Sequence, residues 1–292
     1  MVSDSVILSL YTVLVILITG PIMVAVLMRV KSKVKIWPFL LGTVIYFTFD
    51  FVCVQIIKII FISDGRATSQ MIYGNIAIYA LFNAVVIGLI EGAGILIAFK
   101  KILVNYDDKK TPIMYGLGHA CIEALLISGI RIFDYITFST ALNELGREGF
   151  IEKFFTEAQN AEEVSNIDID RVIDFFTNMK TTDVLLLALN RFVLFAVLLF
   201  TSIMIFYSVK RETKVYFWLA VIVRGLSIIP GSIQDFLEIE DSAGSWILLL
   251  VTTAIVALAG FIGVKLYRNY DTERVLLPGE LFKGNSANSG LL

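Results

Sequence analysis

The 292-residue chain has a single histidine, and it stands in the stretch YGLGHACIEALLISG (residues 115–129), four positions before a glutamate. Residues four apart share a helix face, so a helix here presents the imidazole of His119 beside the carboxylate of Glu123. Upstream, Glu91 lies in AVVIGLIEGAGILIAF (84–99), and downstream Arg224 lies in AVIVRGLSIIPGS (220–232). These residue types suit acid–base work. A carboxylate takes a proton from water, and an imidazole orients that water or donates to an oxyanion. All of them sit in apolar surroundings, where an ionisable side chain costs about 2.5–3.5 kcal/mol unless it is paired or hydrated. Each therefore needs a partner. Asp50, Lys58, Arg131, Asp134 and Arg191 raise the same question. Arg131 and Asp134 have the spacing of an i,i+3 pair. Asp50 is expected to meet an arginine of another helix, and Arg224 to form a buried ion pair with Glu91 or Glu123.

The elements that position these groups read as membrane helices. Hydrophobic residues make up 57% of the chain, and the excess comes in blocks long enough for a bilayer core, which takes about 20 helical residues. The pattern predicts an all-α polytopic transmembrane bundle with seven spans, at about 5–28, 36–62, 72–99, 112–138, 184–209, 215–234 and 245–267. The first block has only Asp4 as a charged residue before it and is too long for a signal-peptide core, so it is read as a retained span. Basic residues gather on alternate connections: Arg29, Lys31, Lys33 and Lys35; Lys100, Lys101, Lys109 and Lys110; Lys210, Arg211 and Lys214; Lys265, Arg268 and Arg274. The intervening connections are acidic or short. By the positive-inside rule the N-terminus is expected outside and the C-terminus in the cytoplasm of a multi-pass protein of the cell membrane.

Helical rise then fixes the levels. Glu91 falls about 12 Å from the inner end of the third span, His119 about 10 Å into the returning fourth, and Arg224 about 14 Å into the sixth. One layer of the bundle is expected to hold all of them, with Glu123 one turn beyond. Residues 1–270 are expected to form the bundle, with 139–183 as an extracytoplasmic amphipathic helical insertion and 271–292 as a flexible cytoplasmic tail. Gly88, Gly92, Gly94, Gly116 and Gly118 let helices approach closely near the polar layer. Cys53 and Cys121 read as free thiols in packing positions. The formal charge of −2 gives no ground for a nucleic-acid partner. The expected partners are the lipid bilayer and a membrane-inserted or secreted peptide.

The stretches IEGAGILIAFKKIL and MYGLGHACIEALLISG resemble the YhfC family of intramembrane proteases, itself similar to the CPBP group of prenyl-protein and bacteriocin-processing proteases. Gly118, His119, Ala120, Cys121, Ile122, Glu123 and Ala124 match that family's second motif. The resemblance implies peptide-bond hydrolysis inside the membrane, with Glu91 as base on a held water and His119 positioning the water or stabilising the oxyanion; Glu123 joins them as a candidate catalytic residue. It also admits a metal. The single histidine and the lack of HExxH favour a cofactor-free glutamic mechanism. If a metal such as zinc is bound, Glu91, His119 and Glu123 are the ligands to expect.

Some positions depart from the family pattern. Gly92 stands where a second glutamate is usual, Ile95 where an arginine is usual, and Asn190-Arg191 replaces Glu-Arg. In the sixth span, where another histidine is expected, the sequence offers Arg224 and Ile228. Two further readings follow. One is a catalytically silent relative that binds a peptide, confers immunity or regulates a partner. The other is a small-ligand transporter or sensor built on the ionisable layer.

Overall fold

The computed structural model describes residues 1–63, 66–160, 169–237, 242–272 and 275–281, apart from the side chains of 156–160 and 242–243. Among the described residues there is no strand. The chain forms α1 (Asp4–Ser32), α2 (Trp37–Ile62), α3 (Ala67–Tyr73), α4 (Ile76–Ile102), α5 (Thr111–Phe155), α6 (Ile169–Asn178), α7 (Thr181–Lys210), α8 (Lys214–Leu237) and α9 (Ser242–Asn269). All but α3 and α6 are long and apolar enough to cross a membrane. Large apolar side chains such as Ile59, Leu81, Ile222 and Leu250 are exposed along these helices, as lipid-facing surfaces require. Seven apolar helices make this a multi-pass membrane protein.

Two boundaries differ from the sequence reading, each for a local reason. The third span starts at Ile76 because Asn75 caps it, its Oδ1 accepting from the amides of Ala77 and Ile78; the apolar residues before it form the separate α3. The helix of the fourth span continues beyond 138. It runs on to Phe155 through a bend at Gly146, whose φ of 68° only glycine adopts at low cost. The predicted insertion therefore begins as a continuation of a membrane helix. The acidic stretch 161–168, the charged residues Asp64, Glu238, Glu240, Asp241 and Arg274, and the tail from 282 lie outside the described residues.

The chain divides into two compact units. The first comprises Met1–Pro21 and Glu123–Arg191. Its core joins Val6 and Leu10 of α1 to Ile132 and Phe150 of α5 and to Ile173 and Phe176 of α6. Phe138 is the hub of an aromatic cluster, with Phe150, Phe154 and Phe176 at centroid distances of 5.9, 4.9 and 5.7 Å. Asn143 clasps the start of the chain, accepting from the Val2 amide and donating to its carbonyl, both at 2.8 Å. Within 139–183, α6 is an amphipathic helix. It turns Ile173 and Phe176 inward, and Arg147 and Asp170 form an ion pair on its exposed side.

The second unit comprises Ile22–Ile122 and Phe192–Leu292. Its core is built from Ile45, Phe99, Tyr115, Phe206, Tyr216 and Leu266. Glycines set its closest crossings. A Cβ on Gly88 of α4 would stand 2.8 Å from the Val221 carbonyl oxygen of α8, and one on Gly225 of α8 would stand 2.9 Å from that of Ala84. At one end of this unit the basic connections interlock. Lys109 pairs with Asp271, Lys210 donates to Asp107 and to the Val104 carbonyl, and Lys35 lies over the Tyr106 ring. Part of the stretch read as a mobile tail belongs to this end. Leu281 is buried, Tyr216 donates to the Leu276 carbonyl at 2.6 Å, and Lys265 donates to the Leu281 carbonyl. Leu276 and Leu281 are thus tied to this end by their backbone carbonyls, and Leu281 also by its buried side chain.

Candidate functional site

Four helices of the second unit contribute one ionisable side chain each to a single buried place. Glu91 comes from α4, His119 from α5, Arg224 from α8 and Asp50 from α2; all are at most 8% exposed. The glycine crossings explain why they meet. Gly88, one turn before Glu91, brings α8 against α4, so Arg224 Nε donates to Glu91 Oε2 at 2.6 Å. On the other flank a Cβ at Gly118 would overlap the Phe39 carbonyl, and one at Gly42 would overlap the Tyr115 carbonyl and stand 2.8 Å from the His119 amide. The backbones of α2 and α5 are thus in direct contact beside the imidazole.

Stretches of α2 and α5 are π-helical, Tyr46–Cys53 and Ala124–Gly129. Such wide turns alter which face a residue occupies and recur at functional sites. Asp50 lies within the first. Its Oδ2 stands 3.7 Å from His119 Nε2, and Glu91 Oε1 stands 3.8 Å from the same nitrogen. One ligand atom from each of Asp50, Glu91 and His119 fits within 4.8 Å. The imidazole packs edge-on against Tyr46 at 5.1 Å and beside Tyr115 at 6.1 Å. Among the described residues, neither ring nitrogen of His119 nor the buried hydroxyl of Tyr115 has a hydrogen-bond partner.

Chemically, two carboxylate oxygens and one imidazole nitrogen converge. The 3.7 and 3.8 Å separations exceed the roughly 2.7–3.2 Å of a direct hydrogen bond. They approach the spacing of two acceptors that share one water, about 4–4.5 Å, or one tetrahedral metal ion, about 3.4 Å. The two oxygens of Glu91 are differentiated: Oε2 is held by the guanidinium and Oε1 faces the imidazole.

Of the residues singled out in the sequence, Glu91, His119 and Arg224 come together. Glu123 is buried but is not in this group; it opens the other compact unit. The second acidic residue beside His119 is Asp50. A 3.6-residue count could not foresee this, because the π-helical turn shifts the angle at which Asp50 leaves α2. The available signal was the cost of a lone carboxylate in VIYFTFDFVCV. Cys121 is buried and Cys53 partly buried, both as free thiols.

A family model described as YhfC intramembrane metalloprotease matches residues 14–233. The chain is 19% identical over 177 residues to the uncharacterized membrane protein YhfC of Bacillus subtilis (strain 168), an alignment covering 61% of this chain. The chain spans 65% of the length of that curated relative. No solved structure matches it.

Proposed function

The chain belongs to the YhfC intramembrane metalloprotease family, and from that premise we propose that it hydrolyses peptide bonds within the membrane at the chamber lined by Glu91 and His119. The observation that carries this reading is the 3.8 Å approach of a buried carboxylate oxygen to a buried imidazole nitrogen that has no hydrogen bond among the described residues. A water placed there is held from two sides. Glu91 Oε1 accepts its proton as the water oxygen attacks the carbonyl carbon, and the same proton passes to the departing amine as the C–N bond breaks. Arg224 acts through Glu91, fixing the carboxylate so that Oε1 and not Oε2 faces the water. The Tyr115 hydroxyl, buried beside the imidazole, is a donor of the kind that stabilises an oxyanion.

The family description implies a metal, against the expectation of a cofactor-free mechanism. The donor chemistry fits one, since Glu91 Oε1 and His119 Nε2 would both face a divalent cation without another hydrogen bond being broken at the imidazole. When bound, such an ion polarises a carbonyl and makes bound water a nucleophile near neutral pH.

One observation favours a second reading, in which the chamber is kept and turnover is lost. Arg224 holds Glu91 at 2.6 Å in a buried ion pair, an arrangement that also serves as a structural lock between α4 and α8. The experiment that separates the two uses purified protein in liposomes with fluorogenic peptides of membrane-inserted and soluble types. Peptidase action predicts cleavage by the wild type, with Glu91→Gln and His119→Ala folded by circular dichroism and slowed by about 100-fold or more. A folded wild type that cleaves no peptide removes the peptidase reading.

For topology we infer an N-terminus outside and a cytoplasmic C-terminus. The reading is supported by the basic residues of alternate connections, which interlock at one end of the second unit.

A further inference from the structure

We propose that Asp50 is the third protein ligand of a divalent-cation site whose other ligands are Glu91 and His119, and that Glu123 is not a ligand. The inference rests on the reading of Glu91 and His119 as the reactive pair, but not on turnover. Three observations carry it. First, Asp50 Oδ2, Glu91 Oε1 and His119 Nε2 converge within 4.8 Å, and all three residues are buried. Second, His119 Nε2 lies at nearly equal distances, 3.7 and 3.8 Å, from the two carboxylate oxygens. In the tautomer with the proton on Nδ1, the Nε2 lone pair faces two carboxylate oxygens, an arrangement that a cation among them satisfies. Third, neither imidazole nitrogen has a hydrogen bond among the described residues, so Nε2 is available to a ligand there.

The donor set also limits the ion. One nitrogen and two carboxylate oxygens are harder ligands than the thiolate and multiple-imidazole sets of structural zinc, and they suit zinc, manganese, cobalt or iron in their divalent states. Charge supports the same conclusion. The four side chains Asp50, Glu91, His119 and Arg224 together carry a formal charge of −1 when the imidazole is neutral. A divalent cation reverses that sign to +1 and adds a Lewis-acidic centre, while Arg224 limits the affinity by competing for Glu91. Position is the remaining argument. Asp50 reaches the site from within the π-helical segment Tyr46–Cys53, and α2 is held there by the Gly42 and Gly118 contacts with α5.

The test uses the intact protein in detergent or nanodiscs, stripped of metal and titrated with Co²⁺. Wild type should bind about one ion per chain with a ligand-field spectrum, and should melt at a higher temperature when loaded. Asp50→Asn should lose affinity by more than the ~10–100-fold that an outer-shell partner is worth, whereas Glu123→Gln should bind within about 2-fold of wild type. Since a neutral amide in place of Asp50 can also unfold the chain, Asp50→Cys supplies a direct readout: a thiolate-to-cobalt charge-transfer band absent from wild type and from Glu123→Cys. The inference is overturned if folded wild type binds no Co²⁺, if Asp50→Asn binds as wild type does, or if the new band appears with Glu123→Cys instead. Co²⁺ binding through Asp50 in a protein that cleaves no peptide would sink the peptidase reading alone. Folded wild type that cleaves peptide but binds no Co²⁺, or binds it unchanged in Asp50→Asn, would sink this one alone.

Discussion

Arg224 and Glu91 are the tightest pair in the site, and their value depends on each other. Both are buried, so the guanidinium offsets a charge that would otherwise stand alone in apolar surroundings. Breaking a buried pair from one side costs about 3–5 kcal/mol. Arg224→Met should therefore destabilise the protein by that order, and Arg224→Met with Glu91→Gln should recover at least 1 kcal/mol of the loss. Denaturant or steric-trapping unfolding in bilayer mimics checks both; additive effects would mean that the pair is not coupled. Tyr115 tests the opposite case. Its hydroxyl is buried without a hydrogen bond among the described residues, so Tyr115→Phe should leave stability unchanged or raise it by up to about 1 kcal/mol, while slowing peptide cleavage about 10-fold or more if the hydroxyl serves the oxyanion. Glu91, His119 and Arg224 were legible before any coordinates because depth along a straight helix follows from residue count alone. Asp50 was not, since its direction depends on a π-helical turn that apolar residues such as Phe47 and Phe51 do not announce.

At the scale of helices, the contacts that position the site are backbone approaches permitted by glycine. Gly118 meets the Phe39 carbonyl of α2, whereas a Cβ at Gly20 of α1 meets nothing within 4 Å. The two positions thus separate packing from helix propensity. Gly118→Ala should destabilise by about 1–3 kcal/mol, the cost of overpacking, and should displace α2 with Asp50. Gly20→Ala should stabilise by up to about 1 kcal/mol through propensity alone. Melting temperatures of the two variants in one detergent decide the matter, and equal shifts would remove the argument for a glycine-set crossing. The sequence reading anticipated close packing at these glycines, and it anticipated seven apolar helices because hydropathy over about 20 residues is a strong signal. Neither the continuation of α5 through Gly146 nor the capped start of α4 at Asn75 could be drawn from hydropathy. Both are set by backbone geometry at single residues.

For the whole molecule, the orientation in the bilayer rests on charge. Lys109, Lys210 and Lys35 all make contacts at one end of the second unit, with Asp271, Asp107 and Tyr106 as partners. Basic side chains resist translocation, so this end is expected in the cytoplasm and residue 148, in the predicted extracytoplasmic segment, outside. Cysteine substitutions at two exposed positions test this in a background with Cys53 and Cys121 replaced. A membrane-impermeant maleimide applied to intact cells should label Glu148→Cys and spare Asp108→Cys, with the reverse in inside-out vesicles. Labelling of Asp108→Cys from outside would invert the orientation. Labelling of both from one face would mean that the chain between them does not cross, and the count of seven spans would fall with it. The outcome also bears on the site. Glu91 lies eleven residues before Ile102, about 16 Å of helix, and His119 eight residues after Thr111, about 12 Å, in a hydrocarbon core of about 30 Å. At these depths the chamber lies near the middle of the membrane with His119 nearer the basic end, so an inverted orientation would change which face that end opens to and which peptides can reach Glu91.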